Sequence, residues 1–170
     1  ISKSESNWCS PAFPILKKNN RDVRLVIDYR KLNEITIKNF YPLPSITELM
    51  QRIRSASVFS TIDLNCGYYQ ILLEENSKKY TAFSILGELY EFNRLPFGLS
   101  QAPFSFQRNM NKILSNINCA MVYLDDILIF SHNENKHVED IIEVMERLEK
   151  YNATISFEKS EFFKSEINYL

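Results

Sequence analysis

The chain has 170 residues with a formal net charge of −1; 45% of them are hydrophobic and 13% aromatic. That length suits one domain with a substantial core rather than two, and the charge excludes a globally basic nucleic-acid binder. Cys9, Cys66 and Cys119 are widely spaced and form neither a disulfide framework nor a zinc pattern with His132 and His137, so an intracellular, reducing setting is expected. No apolar run is long enough to span a membrane and no signal peptide is visible, so no membrane partner is expected.

In chain order, Phe13 to Leu16 and Val23 to Asp28 read as two strands joined by the polar turn Asn19-Asn20-Arg21-Asp22. Tyr41-Pro42-Leu43-Pro44 is extended, and Ser45 with Glu48 forms a capping box opening a short helix through Ile53. Val58 to Leu64 is a strand ending in an acid, and Tyr80 to Ile85 and Leu89 to Phe92 are strands turning at Gly87. The spacing predicts a helix over Ser100 to Leu114, with Ser100 as cap and Pro103 in its first turn. Cys119 to Val122 and Ile127 to Phe130 form an apolar hairpin, followed by an amphipathic helix from Glu134 to Tyr151. Ala153 to Phe157 and Ile167 to Leu170 close the chain as strands. No repeat or linker marks an internal boundary. The order suits an α+β arrangement, an antiparallel sheet with helices packed on one face.

Charge is unevenly placed. Lys17, Lys18, Arg21, Arg24, Arg30, Lys31 and Lys38 come early, whereas Glu139, Asp140, Glu143, Glu146 and Glu149 fill the late helix. A basic face for phosphates and two solvated surfaces both account for this. The chain opens on Ile1 and closes on Asn168-Tyr169-Leu170 within an apolar pattern, which suggests a piece of a longer polypeptide.

The feature hardest to explain by packing is Tyr123-Leu124-Asp125-Asp126, two adjacent acids at the tip of the apolar hairpin. An acidic turn is one account; a bound divalent cation, held by hard carboxylate oxygens, is the other. Asp63 ends an apolar strand that an antiparallel sheet can lay beside that tip; alone it also suits a helix N-cap. Three converging carboxylates cannot all stay ionised without cations. Two Mg²⁺ about 3.5–4 Å apart would neutralise them and clamp the oxygens of an in-line phosphoryl displacement. Lys17 and Arg24, on the two strands of the first hairpin, either reach a triphosphate or protect an edge.

Further stretches carry a resemblance. They are Ser10-Pro11, Arg24-Leu25-Val26-Ile27-Asp28-Tyr29-Arg30-Lys31-Leu32-Asn33, Tyr41-Pro42-Leu43-Pro44, Phe59 to Leu64 and Gly67-Tyr68-Tyr69-Gln70-Ile71. Thr81-Ala82-Phe83, Leu95-Pro96-Phe97-Gly98-Leu99, Ala102-Pro103, Phe106-Gln107 and Tyr123 to Leu128 follow. With these, the chain resembles the fingers–palm part of a reverse transcriptase of the Ty3/gypsy class of long-terminal-repeat retrotransposons. The resemblance implies a right-hand polymerase fragment lacking the thumb, with fingers contributions from about 1–57 and 74–118 and palm from about 58–73 and 95–170.

It further implies an RNA-directed DNA polymerase acting on a primer and an RNA or DNA template with dNTPs. Asp63, Asp125 and Asp126 would be the catalytic metal-binding aspartates for two Mg²⁺, with Mn²⁺ as a substitute, and the Leu64 carbonyl would complete one shell. Lys17 and Arg24 would hold the triphosphate, and Tyr68 would reject a 2′-hydroxyl or else be a core tyrosine. Phe97 and Gly98 would pack on the nascent base pair, Gln107 would lie near the nucleotide and template, and Lys159 would protonate the departing pyrophosphate. Thumb, RNase H and integrase of a Pol polyprotein are implied partners, and cytoplasmic virus-like particles the location. With the thumb and primer grip absent, the chain alone is expected to polymerise poorly. Two rivals remain open: a silent, truncated remnant that only binds nucleic acid, and a metal-dependent nuclease.

Overall fold

The computed structural model describes residues 1–16, 23–42, 44–123 and 126–167. In chain order the elements are β1 (Ser2–Lys3), β2 (Ser10–Leu16), β3 (Val23–Ile27), α1 (Arg30–Ile35), α2 (Ile46–Ile53) and β4 (Val58–Leu64). Then come α3 (Glu75–Lys78), β5 (Phe83–Ile85), β6 (Glu88–Glu91), α4 (Ala102–Ile113), β7 (Ala120–Tyr123), β8 (Asp126–Ser131), α5 (Glu134–Lys150) and β9 (Ile155–Lys164). The chain divides into two compact units, Ile1–Asn39 with Tyr68–Ala102 and Phe40–Gly67 with Pro103–Leu170. The crossings carry no long linker, which is why composition alone showed no boundary.

The first unit is built on a five-stranded sheet in the order β1-β6-β5-β2-β3. β2 and β3 form the expected antiparallel pair, with Phe13 opposite Val26 and Ile15 opposite Arg24; the turn anticipated between them lies outside the described residues. Ile27, Tyr29, Phe83 and Phe92 make the core. Burial pushes the Tyr29 phenol far above its usual range, and the hydroxyl donates to the Thr81 carbonyl at 2.8 Å. That bond helps explain a difference from expectation: residues 79–81 form a 3₁₀ turn after α3, and the strand begins only at Phe83. The Thr81 hydroxyl donates to the Lys78 carbonyl at 2.7 Å and accepts from the Phe92 amide at 2.9 Å, so the side chain favours a turn over a ladder. Helix α1 was not anticipated. Asp28 precedes it, accepting from the Arg30 amide and guanidinium, and Arg30 pulls that carboxyl down to about 2.

The second unit holds a four-stranded antiparallel sheet in the order β7-β8-β4-β9. The Ser45 capping box is present in full, and α2 packs Leu49 and Ile53 against Met121, Leu128 and Phe130. Along β4, Ser60, Ile62 and Leu64 are buried while Phe59, Thr61 and Asp63 are half-buried, the alternation of a strand with two unlike faces. Helix α5, capped by the Asn133 side chain, covers the face of Ser60. Its fully buried His137 bonds the Ser60 hydroxyl at 2.7 Å and the Ser131 hydroxyl at 2.8 Å, and Ser131 donates to Asp140 at 2.6 Å. Desolvation holds His137 below its ordinary pKa, so the neutral ring is the form the core accepts. Helix α4 begins at Ala102, two residues later than expected; the Ser100 amide instead donates to Asn33 Oδ1 at 2.8 Å. Among the described residues no helix is long and apolar enough to cross a membrane.

The β5–β6 hairpin closes on Leu86 and Gly87, with Ile85 opposite Glu88 and both loop residues at positive φ, 52° and 82°. A two-residue turn of that hand favours Asn-Gly, and Leu86 pays the steric cost of the left-handed region while 98% exposed. Leu86→Asn should therefore raise stability by about 1 kcal/mol, or roughly 2–4 °C in Tm, whereas β-branched Leu86→Val should lower it. Thermal unfolding followed by circular dichroism checks both; an unchanged Tm in both variants would contradict the strain.

Candidate active site

The register of two apolar strands brings the carboxylates together. β4 and β8 pair Ser60 with Ile129, Thr61 with Leu128 and Ile62 with Ile127, which sets Asp63 opposite Asp126. Slipping the register by one residue would turn the buried faces outward, so the core enforces the juxtaposition of two like charges. Such pairs cost about 0.2–1 kcal/mol. Accordingly, partial burial first and the charge of Asp63 second hold the Asp126 carboxyl above its ordinary range. Asp63 Oδ1 is buried and accepts no hydrogen bond. Asp126 opens β8 opposite Tyr123 of β7; Leu124 and Asp125, between them, lie outside the described residues.

The opposite neighbour of β4 differs from expectation. One long strand, β9, replaces the predicted strand at 153–157 and the loop after it, and the strand expected at 167–170 lies, apart from Ile167, outside the described residues. Its charged residues break the alternation that marks a strand, because β9 is bulged. The step from Asp63 to Thr61 on β4 is matched by Ser156 to Glu161 on β9. The bulge is held by Ser160, whose hydroxyl donates to the Ser156 carbonyl at 2.7 Å and accepts from the Asp63 amide at 3.2 Å. Lys159 thereby comes within 3.8 Å of Asp63 Oδ1, a Coulombic contact too long for a hydrogen bond. Leu64 pairs with Ile155 and its side chain is buried.

Five other expected site residues belong to the first unit; four of them are described, and three of these form one stack. The Arg24 guanidinium lies 5.3 Å from the centroid of Phe97, and Phe97 stacks on Tyr68 at 4.8 Å. Tyr69 meets Phe97 edge-on at 5.3 Å and stacks on Phe92 at 6.1 Å. Gly98 follows at φ 94°, close enough to Tyr29 that an added Cβ would sit 3.4 Å from its ring. Its carbonyl accepts from Asn33 at 2.8 Å. Lys17 lies outside the described residues.

Gln107, expected near the nucleotide and template, is fully buried. Its amide nitrogen donates to the Val122 carbonyl at 2.8 Å and to Asn111 Oδ1 at 3.1 Å, tying α4 to the strand before the acidic pair. Residues not anticipated are Ser160, Asn33 and Arg94, the last donating to the carbonyls of Tyr69 and Gln70 at 3.3 and 2.9 Å. Their work is done through backbone partners that sequence spacing does not reveal. A separate group of donors, Cys119, Asp140 and Glu143, has ligand atoms within 4.8 Å of one another. Burial and the acidic neighbours push the Cys119 thiol up to about 11, and Asp140 is already engaged by Lys136 and Ser131, so this group is a poor metal seat.

The chain is similar to known proteins. The profile of the family described as "Reverse transcriptase (RNA-dependent DNA polymerase)" matches residues 15–170. The retrovirus-related Pol polyprotein from transposon gypsy of Drosophila melanogaster is 44% identical over 177 aligned positions, covering all of this chain and 17% of that protein. The enzymatic polyprotein of figwort mosaic virus is 37% identical, with 26% of its length covered. The chain thus spans about a quarter or less of these relatives. Among solved structures, a foamy viral protease-reverse transcriptase in complex with double-stranded DNA superposes with a TM-score of 0.88 at 26% identity, over 99% of this chain and 30% of that one. The same protein with an RNA/DNA hybrid also gives 0.88 at 26% identity, over 99% of this chain and 22% of that one. The chain, with its α+β fold and paired carboxylates, belongs to the reverse transcriptase family.

Proposed function

We propose that this chain carries the catalytic centre of an RNA-directed DNA polymerase that adds dNTPs to a primer 3′-hydroxyl on an RNA or DNA template. The unit of Phe40–Gly67 and Pro103–Leu170 would act as palm and the unit of Ile1–Asn39 and Tyr68–Ala102 as fingers. The observation that carries the reading is the pairing of Asp63 with Asp126 at the mouth of an apolar sheet. Its acidic, all-oxygen donor set and the unbonded Asp63 Oδ1 suit hard cations such as Mg²⁺ or Mn²⁺. Asp63, Asp125 and Asp126 would hold two of them, with the Leu64 carbonyl completing a shell.

When bound, such ions supply neutralising charge to a triphosphate and to the attacking and leaving oxygens. The chain's own residues do the rest. Arg24, with Lys17, offers the tail a fork and a point charge. Phe97, backed by Tyr68 and Tyr69, offers a flat wall for a base pair, and Gly98 lets the backbone beside it pass close to Tyr29. The Tyr68 ring bars a 2′-hydroxyl by bulk, Gln107 supports the strand behind the acids, and Lys159 stands beside Asp63. Solved relatives bound to double-stranded DNA and to an RNA/DNA hybrid support a nucleic-acid partner. Relatives that are Pol or enzymatic polyproteins support the remainder of such a polyprotein as a partner.

Primer extension with the chain, alone and within the longest reading frame that contains it, tests the function. Asp126→Asn and Asp63→Asn should each lower incorporation by at least about 100-fold; equal incorporation in wild type and variants would sink the reading, and none in any of them would favour a silent remnant. The strained acid pair gives a second test. Because the folded pKa of Asp126 is raised, its cost is absent in acid and grows as pH rises through that pKa. Metal-free Asp126→Asn should thus melt about 1–3 °C above wild type at pH 7, with the gap closing toward about pH 4. Mg²⁺ should raise the wild-type Tm and leave the variant nearly unmoved. Finally, Tyr68→Ala should raise the ratio of ribonucleotide to deoxynucleotide incorporation by about tenfold or more; an unaltered ratio removes the gate from Tyr68.

A further inference from the structure

We propose that Ser160 is a positioning residue that holds the Lys159 ammonium against Asp63, so that Lys159 occupies the cation's place and a divalent metal must displace it. The inference rests on the reading of Asp63 as a metal ligand and extends it to how the metal enters. Three observations converge. Asp63 Oδ1 is buried without a hydrogen bond, and an unsatisfied buried carboxylate oxygen is costly. Lys159 Nζ is the positive charge set beside that oxygen, 3.8 Å away. The lysine gets there from a bulge whose two ends are stitched by one hydroxyl: Ser160 Oγ accepts from the amide of Asp63 itself and donates to the carbonyl of Ser156, the residue paired with Asp63.

The Lys159 side chain is 70% exposed against 28% for Asp63. It can therefore swing into solvent on its long stem without breaking any packing, whereas the carboxylate stays where the sheet holds it. The contact is weak enough to yield to a doubly charged ion at closer range and strong enough to keep the oxygen from standing unmatched. Without Ser160 the bulge loses its tie to the Asp63 amide, and the ammonium loses its fixed position while keeping its charge. Positioning and bulk charge are thereby separable.

Mn²⁺ alone is the probe, with free ion followed by electron paramagnetic resonance during titration of the full chain. Lys159→Met should tighten Mn²⁺ binding roughly two- to fivefold, the range exposed ion pairs supply, and Lys159→Arg should stay near wild type. Ser160→Ala should tighten binding in the same direction, and Ser160→Thr, which keeps the hydroxyl, should restore the wild-type value. If Lys159→Met leaves affinity unchanged or weakens it, the displacement idea fails. If Lys159→Met tightens binding and Ser160→Ala does not, the lysine acts by charge alone and Ser160 positions nothing. Asp63→Asn separates this from the underlying reading: Mn²⁺ binding that is absent in wild type, or that survives Asp63→Asn, overturns the metal site itself. Lys159 is a surface side chain, so its variants decide the outcome even if a Ser160 variant unfolds.

Discussion

Everything at this site follows from one electrostatic conflict, the setting of Asp63 directly across from Asp126 on neighbouring strands. The apolar residues behind them, Ile62, Ile127, Leu128 and Ile129, are completely buried, and a strand cannot slip to relieve the acids without exposing that core. Hydrophobic burial, at about 25 cal/mol per Å², outweighs a repulsion of about a kcal/mol between partly solvated carboxylates. The fold thus holds charges in a place they would not choose, and a cation is what the arrangement asks for. Partial burial first and the charge of Asp63 second hold the Asp126 carboxyl above its ordinary range, so the repulsion is felt at that group.

The neighbouring strand is shaped by the same conflict. A regular β9 would present its side chains in simple alternation beside Asp63. The bulge instead devotes extra residues to this one spot, and Ser160 and Lys159 are what it delivers. Bulges beside functional groups commonly re-aim a side chain in this way. In the first unit precision comes from aromatic rings instead: Phe97, Tyr68, Tyr69 and Phe92 lock against one another, and Arg24 rests on Phe97. Rings have few rotamers, so a stack fixes a surface at little entropic cost.

The family relation fits this division of labour. A solved relative shares only 26% of residues yet superposes with a TM-score of 0.88. Most of the core needs only apolar residues of suitable volume, whereas the register of β4 with β8 must be kept if the acids are to meet.

Much was legible in the residues themselves. The apolar runs of β4, β7 and β8, the capping box of α2 and the amphipathic face of α5 are local patterns, and periodicity reports them. The two acids after Tyr123 stood out because nothing local favours them, and collinear motifs carried the resemblance to a family. What only the tertiary structure decided is pairing and burial. No pattern in the sequence says that Asp63 faces Asp126 rather than a neighbour, that Gln107 turns inward to the Val122 carbonyl, or that the polar residues 158–161 belong to a strand. Those outcomes depend on which backbone groups come within hydrogen-bonding distance after the core has closed, and that depends on contacts between residues far apart in the chain.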